Sequence, residues 1–146
     1  MRASKRLSQI YFTFLAILIV ILSPGPAFGR TQNIKPRVLK IQKGLAAFYA
    51  GTLHGEKTAS GETYNKNEFV GAHPSLPLGT VVRVTNLENK KAIEVRIIDR
   101  GPSDKDQAKG FIIDLSKSAA EALDFVKQGK TRVQIEVLKL GEVTKK

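Results

Sequence analysis

Asp99 closes a stretch of alternating aliphatic residues (92–99, AIEVRIID) and is followed at once by Arg100, Gly101 and Pro102. A carboxyl at the end of an apolar strand, just before a sharp break, sits at a rim and is partly withdrawn from water. Desolvation raises a carboxyl pKa toward the range in which it can donate a proton. The same side chain can instead accept backbone N–H bonds in its own turn or pair with Arg100, and spacing alone leaves both open. His73, between Ala72 and Pro74, can bond a substrate hydroxyl or tune a neighbouring carboxylate near neutral pH. Its plain alternative is a half-buried histidine satisfied by backbone. Glu62 lies in a long polar stretch (54–67, HGEKTASGETYNKN), where alone it reads as a solvated acid. Asp114, ending the run FIID, either faces the same site or helps to cap the helix that follows. Tyr49 and Tyr64 offer flat faces for stacking on sugar rings, with core packing the alternative for Tyr49. His54 reads as a turn residue.

Several chemistries are excluded by what the sequence lacks. It holds no Gly-rich phosphate loop, no His-Glu-x-x-His pattern and no Gly-x-Ser-x-Gly elbow. With two histidines and no cysteine, disulfides, thiolate metal sites and lipid attachment at a cysteine are ruled out, and a structural zinc site is not expected. No metal and no cofactor are expected. Thr58, Ser60 and Thr63 supply hydroxyls without an identifiable base. Lytic or hydrolytic work would therefore be driven by carboxylates.

The elements that must hold these residues are mostly strands. Residues 45–50 (LAAFYA) form a short apolar run suited to a buried strand, ended by Gly51. The polar stretch after it is broken by Gly55 and Gly61, and so long a loop in a small domain is more often functional than idle. Residues 79–85 and 92–99 read as a hairpin in which Ile93, Val95 and Ile97 face one way and Glu94 and Arg96 the other. Residues 110–115 are a further strand. Residues 116–125 carry helical spacing, with Ser118 and Glu121 as a capping box. Residues 131–137 alternate cleanly, with Val133, Ile135 and Val137 inward. The alternation fails at Leu138 and Lys139, which predicts a strand end or a bulge before Leu140. Five or more strands and one short helix in so few residues fit a small closed barrel, since closure removes exposed sheet edges.

The N-terminus is of another kind. Residues 1–9 are basic without an acid, residues 10–22 are uncharged and apolar, and residues 23–29 end in Ala27, Phe28 and Gly29. That order is the one found in secretory signal peptides. The apolar run of 13 residues is shorter than the about 20 needed to span a bilayer, although an uncleaved anchor is the alternative. The expected organisation is a signal peptide at 1–29, a linker or extension at 30–43, a barrel at 44–140 and a tail at 141–146. The formal charge of +11 falls to +8 without Arg2, Lys5 and Arg6. An exported basic protein meets cell-wall polymers and anionic lipid surfaces rather than nucleic acid. Membrane contact is expected only through the N-terminal segment, the location is the periplasm or cell envelope, and a monomer is expected.

Six ordered segments closely resemble the rare lipoprotein A (RlpA) family: GLAAFY at 44–49, HGEKTASGE at 54–62, AHPSLPLGT at 72–80, VRVTNL at 82–87, DRGP at 99–102 and IDLS at 113–116. The resemblance implies a mainly β fold, a six-stranded double-psi β-barrel with one short helix. It also implies an endolytic lytic transglycosylase that cleaves the β-1,4 bond between N-acetylmuramic acid and N-acetylglucosamine in peptide-poor glycan strands, leaving 1,6-anhydro ends. The family's catalytic acid falls on Asp99, and its two further site residues on His73 and Glu62. Tyr49, Tyr64, Lys57, Arg100 and Asp114 are the expected substrate contacts. Lys57, Arg83, Arg96 and Arg100 would attract the lactyl carboxylates of a stripped strand. Two departures stand out: no cysteine is present to lipidate, and the chain ends where longer members carry a repeat domain that binds denuded peptidoglycan. The alternative is a non-catalytic, expansin-like barrel that binds or loosens polysaccharide. A hydrolase using water would need a second carboxylate near Asp99, for which Glu62 or Asp114 is available.

Overall fold

The computed structural model describes residues 38–49 and 53–142. The expected signal or anchor segment, residues 30–37 of the extension and the last four residues of the tail lie outside them. Six strands close a barrel: β1 (Lys40–Phe48), β2 (Val70–Ala72), β3 (Val81–Asn86), β4 (Ala92–Asp99), β5 (Phe111–Leu115) and β6 (Thr131–Lys139). Two short helices accompany them, α1 (Asp104–Gln107) and α2 (Lys117–Ala122). Around the barrel the order is β1-β5-β2-β4-β3-β6, with β6 returning to β1. The pairs β1/β5 and β2/β4 are parallel and the other four antiparallel.

The alternation seen in the sequence explains the interior. Val82 and Val84 from β3, Val95 and Ile97 from β4, Ile113 and Leu115 from β5, and Val133, Ile135 and Val137 from β6 are all fully buried in one core. Each such side chain contributes about 1.5–3 kcal/mol by leaving water. Ala119, Ala120, Leu123 and Phe125, on α2 and the turn after it, join the same core, where the Phe125 ring meets Phe48 edge-on at 5.8 Å. Asn86 pins this part of the fold: its amide donates to the Leu123 carbonyl (2.9 Å) and its oxygen accepts from Thr131 Oγ1 (3.0 Å). A second, smaller cluster of Tyr64, Val70 and Ile98, with Tyr49 against it, lies beneath the polar loop.

Several boundaries differ from expectation. Residues 40–43, expected in the linker, belong to β1, because their backbone pairs with residues 134–137 of β6. Their charged and exposed side chains hid this, since only Gln42 among them is even half-buried. β1 also stops at Phe48, before Tyr49. β2 went unread: three residues are too few to show a period, although all three are buried. β6 continues through Leu138 and Lys139, and the irregularity expected there is a bulge: Val81 pairs with Lys139 and Val82 with Val137, which leaves Leu138 as the extra residue on β6. Among the described residues there are two helices rather than one. α1 is a single turn whose N-cap, Ser103, accepts from the Asp106 N–H. In α2 the N-cap is Ser116, accepting from Ala119 N, and not Ser118, whose hydroxyl donates to the Glu68 carbonyl (3.0 Å).

Candidate active site

The end of β4 delivers Asp99, and the loop 53–69 is folded over it. The loop tip is a tight reversal in which Thr58 N donates to Glu62 O (2.9 Å) and Gly61 N to Thr58 O (2.9 Å). Ser60 N donates to Ile98 O (3.0 Å), and Ala59 N to Asp99 Oδ1 (2.9 Å). The same Oδ1 accepts from Arg100 N (2.8 Å), while Oδ2 accepts from the Tyr49 hydroxyl (3.2 Å). Asp99 therefore does accept backbone N–H bonds, one in its own turn and one from the loop, and it keeps Oδ2 toward the phenol. Burial, then the charge of Asp99 and its hydrogen bond, push the Tyr49 hydroxyl well above its ordinary range. Tyr49 thus stays a protonated donor at every working pH.

Asp114 stands two strands away in register. On β5 it is opposite Ala47 of β1 on one side and Ala72 of β2 on the other, and Ala72 is opposite Asp99 on β4. Two strand spacings put the Asp99 and Asp114 backbones about 10 Å apart. Tyr49 senses the charge of both. Burial, followed by the charge of Asp106, raises the Asp114 carboxyl to about 6. Among the described residues no hydrogen bond or salt bridge reaches it. It does not cap α2, a role taken by Ser116.

His73 is placed differently from Asp99. It is 2% exposed, and its Nδ1 accepts from Ser75 N (3.2 Å) and Leu76 N (3.0 Å). Nδ1 is then unprotonated, so Nε2 carries the hydrogen and donates to Gln42 Oε1 (3.0 Å). Burial, then Lys40 and Arg100, push its pKa down to about 4. With both nitrogens occupied it ties β2 and the loop after it to β1, and so positions the rim. Gln42, its partner, was missed in the sequence; its polar side chain amid alternating exposed residues was the available signal.

Glu62 is held by Arg96, whose Nη1 lies 2.6 Å from Oε1, and Ser60 Oγ donates to the same oxygen (3.2 Å). The Arg96 hydrogen bond keeps its carboxyl below the usual range. Glu62 thereby fastens the loop to the outer face of β4. Tyr64 is 3% exposed and packs against Tyr49 with ring centroids 5.0 Å apart, so it supports Tyr49 from below and offers no face to a sugar. Lys57 is exposed and reaches Gly61 O at 3.3 Å within its own loop. The arginines expected to attract carboxylates have internal partners. Arg83 lies 3.5 Å from Glu94 and 3.7 Å from Glu136, Arg96 binds Glu62, and Arg100 donates to the carbonyls of His73 (3.2 Å) and Leu76 (2.8 Å).

Two of these groups make opposite demands on pH. His73, lowered from 6.5 to about 4, contributes stability that is present above pH 6.5 and lost as pH falls toward 4. Asp114, raised from 3.8 to about 6, contributes stability below pH 3.8 that is lost as pH rises through 6. Glu62 and Asp106, both lowered, act only below their ordinary values of 4.5 and 3.8. Between pH 4.5 and 6.5 the two main effects oppose each other, so the melting temperature of the native chain is expected to change little. In Asp114→Asn the histidine effect stands alone. That variant should be more stable at pH 7, by about 1–2 kcal/mol after allowing for partial solvent screening, and should lose stability steadily on acidification to pH 4.5. Thermal melts across that range check both signs.

A closed, mixed six-stranded barrel with this strand order is a double-psi β-barrel. The family model described as lytic transglycolase matches residues 41–135, and the chain belongs to that family. It is 44% identical over 98 residues to the endolytic peptidoglycan transglycosylase RlpA of Campylobacter jejuni, covering 67% of this chain and 34% of that protein. It is 46% identical over 115 residues to the protein of the same name from Neisseria meningitidis serogroup A, covering 78% and 46%. The chain thus spans less than half the length of these relatives. Among solved structures, Streptomyces papain inhibitor shares the fold at a TM-score of 0.55 and 20% identity, over 72% of this chain and all of that one. An expansin from Clavibacter michiganensis shares it at 0.51 and 19%, over 71% and 53%.

Proposed function

We propose that the chain is an exported endolytic peptidoglycan transglycosylase of the cell envelope. Its substrate is peptide-poor glycan, cut between N-acetylmuramic acid and N-acetylglucosamine with formation of a 1,6-anhydro end. The observation that carries this reading is the convergence of Asp99, Tyr49 and Asp114 on one rim beneath a loop that is itself pinned to Asp99. The names of the relatives point the same way. Asp99 takes up the acid–base work at the scissile bond, oriented by two N–H groups and a phenol. Tyr49 sets the orientation of its Oδ2, while His73 and Glu62 hold the strand end and the loop. Intramolecular attack by the 6-hydroxyl replaces water, and the proximity of that hydroxyl to C1 supplies much of the advantage.

Incubation of the full chain with peptide-free glycan strands, beside cello-oligosaccharides, tests this. Release of shorter muropeptide-free fragments from the glycan strands, with the cello-oligosaccharides left intact, is the expected result. Tight binding to the strands without any shortening would replace the enzyme by the polysaccharide-binding reading.

A further inference from the structure

Asp99 is surrounded by donors. Ala59 N and Arg100 N hold Oδ1, and the Tyr49 hydroxyl holds Oδ2. This arrangement fixes an acceptor in place. The second carboxyl of the rim has the opposite surroundings. Asp114 is half-buried, and no donor among the described residues reaches it. Its neighbours are small: Ala47 on β1, Ala72 on β2, and Gly101 just past β4. At Gly101 a Cβ would lie 3.1 Å from Asp114 Oδ2 and 3.4 Å from the Ala72 methyl. A φ of 147° also places that residue where side chains are rarely found. The border of Asp114 is thus kept low on three sides, and a sugar can approach the carboxyl directly.

The charged and titratable groups that bear on Asp114 are Asp106 on α1 and the Tyr49 phenol, which also feels Asp99, two strands away on β4. β2 contributes only Ala72. Arg100, the nearest cation in sequence to Asp99, gives its guanidinium to the carbonyls of His73 and Leu76. A carboxyl that no donor among the described residues reaches, with the acid Asp106 nearby, favours its protonated form, and burial raises it to about 6.

We infer that Asp114 is a second catalytic residue, the proton donor to the glycosidic oxygen, and that Asp99 is the acceptor for the proton of the 6-hydroxyl. This inference rests on the transglycosylase reading above and divides the acid–base work that one residue would otherwise carry. In the step itself the Asp114 proton passes to the bridging oxygen as the bond from that oxygen to C1 of the muramic sugar breaks. The 6-hydroxyl oxygen of the same sugar bonds to C1, and its proton passes to Asp99. The bridging oxygen leaves as the 4-hydroxyl of the next sugar. One proton has moved from Asp114 to Asp99, and exchange with solvent restores both.

The test compares the full chain with Asp114→Asn on peptide-free strands, following the cleavage rate from pH 4.5 to 8 and strand binding separately. The variant is expected to melt cooperatively, bind strands within about threefold of the native chain, and cleave at least ~100-fold more slowly. The native rate is expected to fall above a pH near 6 as the donor is lost, with that limb absent from the residual activity of the variant. Cleavage by Asp114→Asn within threefold of native, or a native rate that stays flat between pH 5 and 8, overturns the assignment of Asp114 and leaves the transglycosylase reading intact. A native chain that cuts no strand overturns both. Even if the variant does not fold, a native rate that stays flat between pH 5 and 8 overturns the assignment.

Discussion

Asp99→Asn is expected to abolish strand cleavage while leaving the barrel and its loop in place. Asn is nearly isosteric, and its Oδ1 still accepts from Ala59 N and Arg100 N, the two bonds that tie the loop tip and the turn to β4. What it loses is the capacity to take a proton. General acid–base catalysis by one positioned group is worth about 10²–10⁴-fold in rate, so the variant should fall to the detection limit of a product assay. Asp99→Ala makes the useful contrast. It removes the acceptor for both exposed N–H groups, which costs about 0.5–1.5 kcal/mol for each hydrogen bond lost, and it should loosen the loop as well as stop the chemistry. Comparable melting temperatures for Asp99→Asn and the native chain, with a lower one for Asp99→Ala, separate the chemical role from the architectural one. Cleavage by Asp99→Asn at more than a tenth of the native rate would remove Asp99 from the reaction.

The largest effect on stability is expected from Phe125→Ala. Phe125 is 1% exposed and heads the largest fully buried side chains. It fills the space between α2 and the barrel and meets the Phe48 ring edge-on at an interplanar angle of 72°. Truncating a buried phenylalanine costs about 3–5 kcal/mol, against the 5–15 kcal/mol that holds a typical domain together. The damage should also reach the site, because Phe48 ends β1 and Tyr49 follows it. With its ring partner gone, that strand end is less firmly set and the phenol drifts from Asp99. Ile41→Ala is the control: Ile41 is 54% exposed on the same strand, and its loss should shift the melting temperature little. Urea titrations of the two variants read the difference directly.

The parts of this fold that were legible in the sequence are those where one period runs uninterrupted. β4 could be read to its last residue because Ile93, Val95 and Ile97 alternate with charged neighbours, and β6 was visible for the same reason through Val137. Where pairing rather than pattern decides, the sequence was silent. Residues 40–43 look like a charged tether, yet their backbone closes the barrel against β6. β2 is three buried residues set by partners on both sides. The site shows the same division. Asp99 was findable from its place between an apolar strand and a Gly-Pro break. The buried state of His73, the Arg96 clamp on Glu62 and the burial of Tyr64 beneath Tyr49 depend on residues about 15 or more positions away, which no local spacing reveals. The weight of Asp114 comes from the absence of donors around it among the described residues, which only the folded arrangement can display.

The central claim is that the 6-hydroxyl, and not water, attacks C1. Cleaving peptide-free strands with the full chain in water enriched in oxygen-18 tests it most directly, with the new termini analysed by mass. Unlabelled termini carrying the mass of a 1,6-anhydro sugar are predicted. Reducing termini that have taken up one heavy oxygen per cut would show that water is the nucleophile and contradict the account.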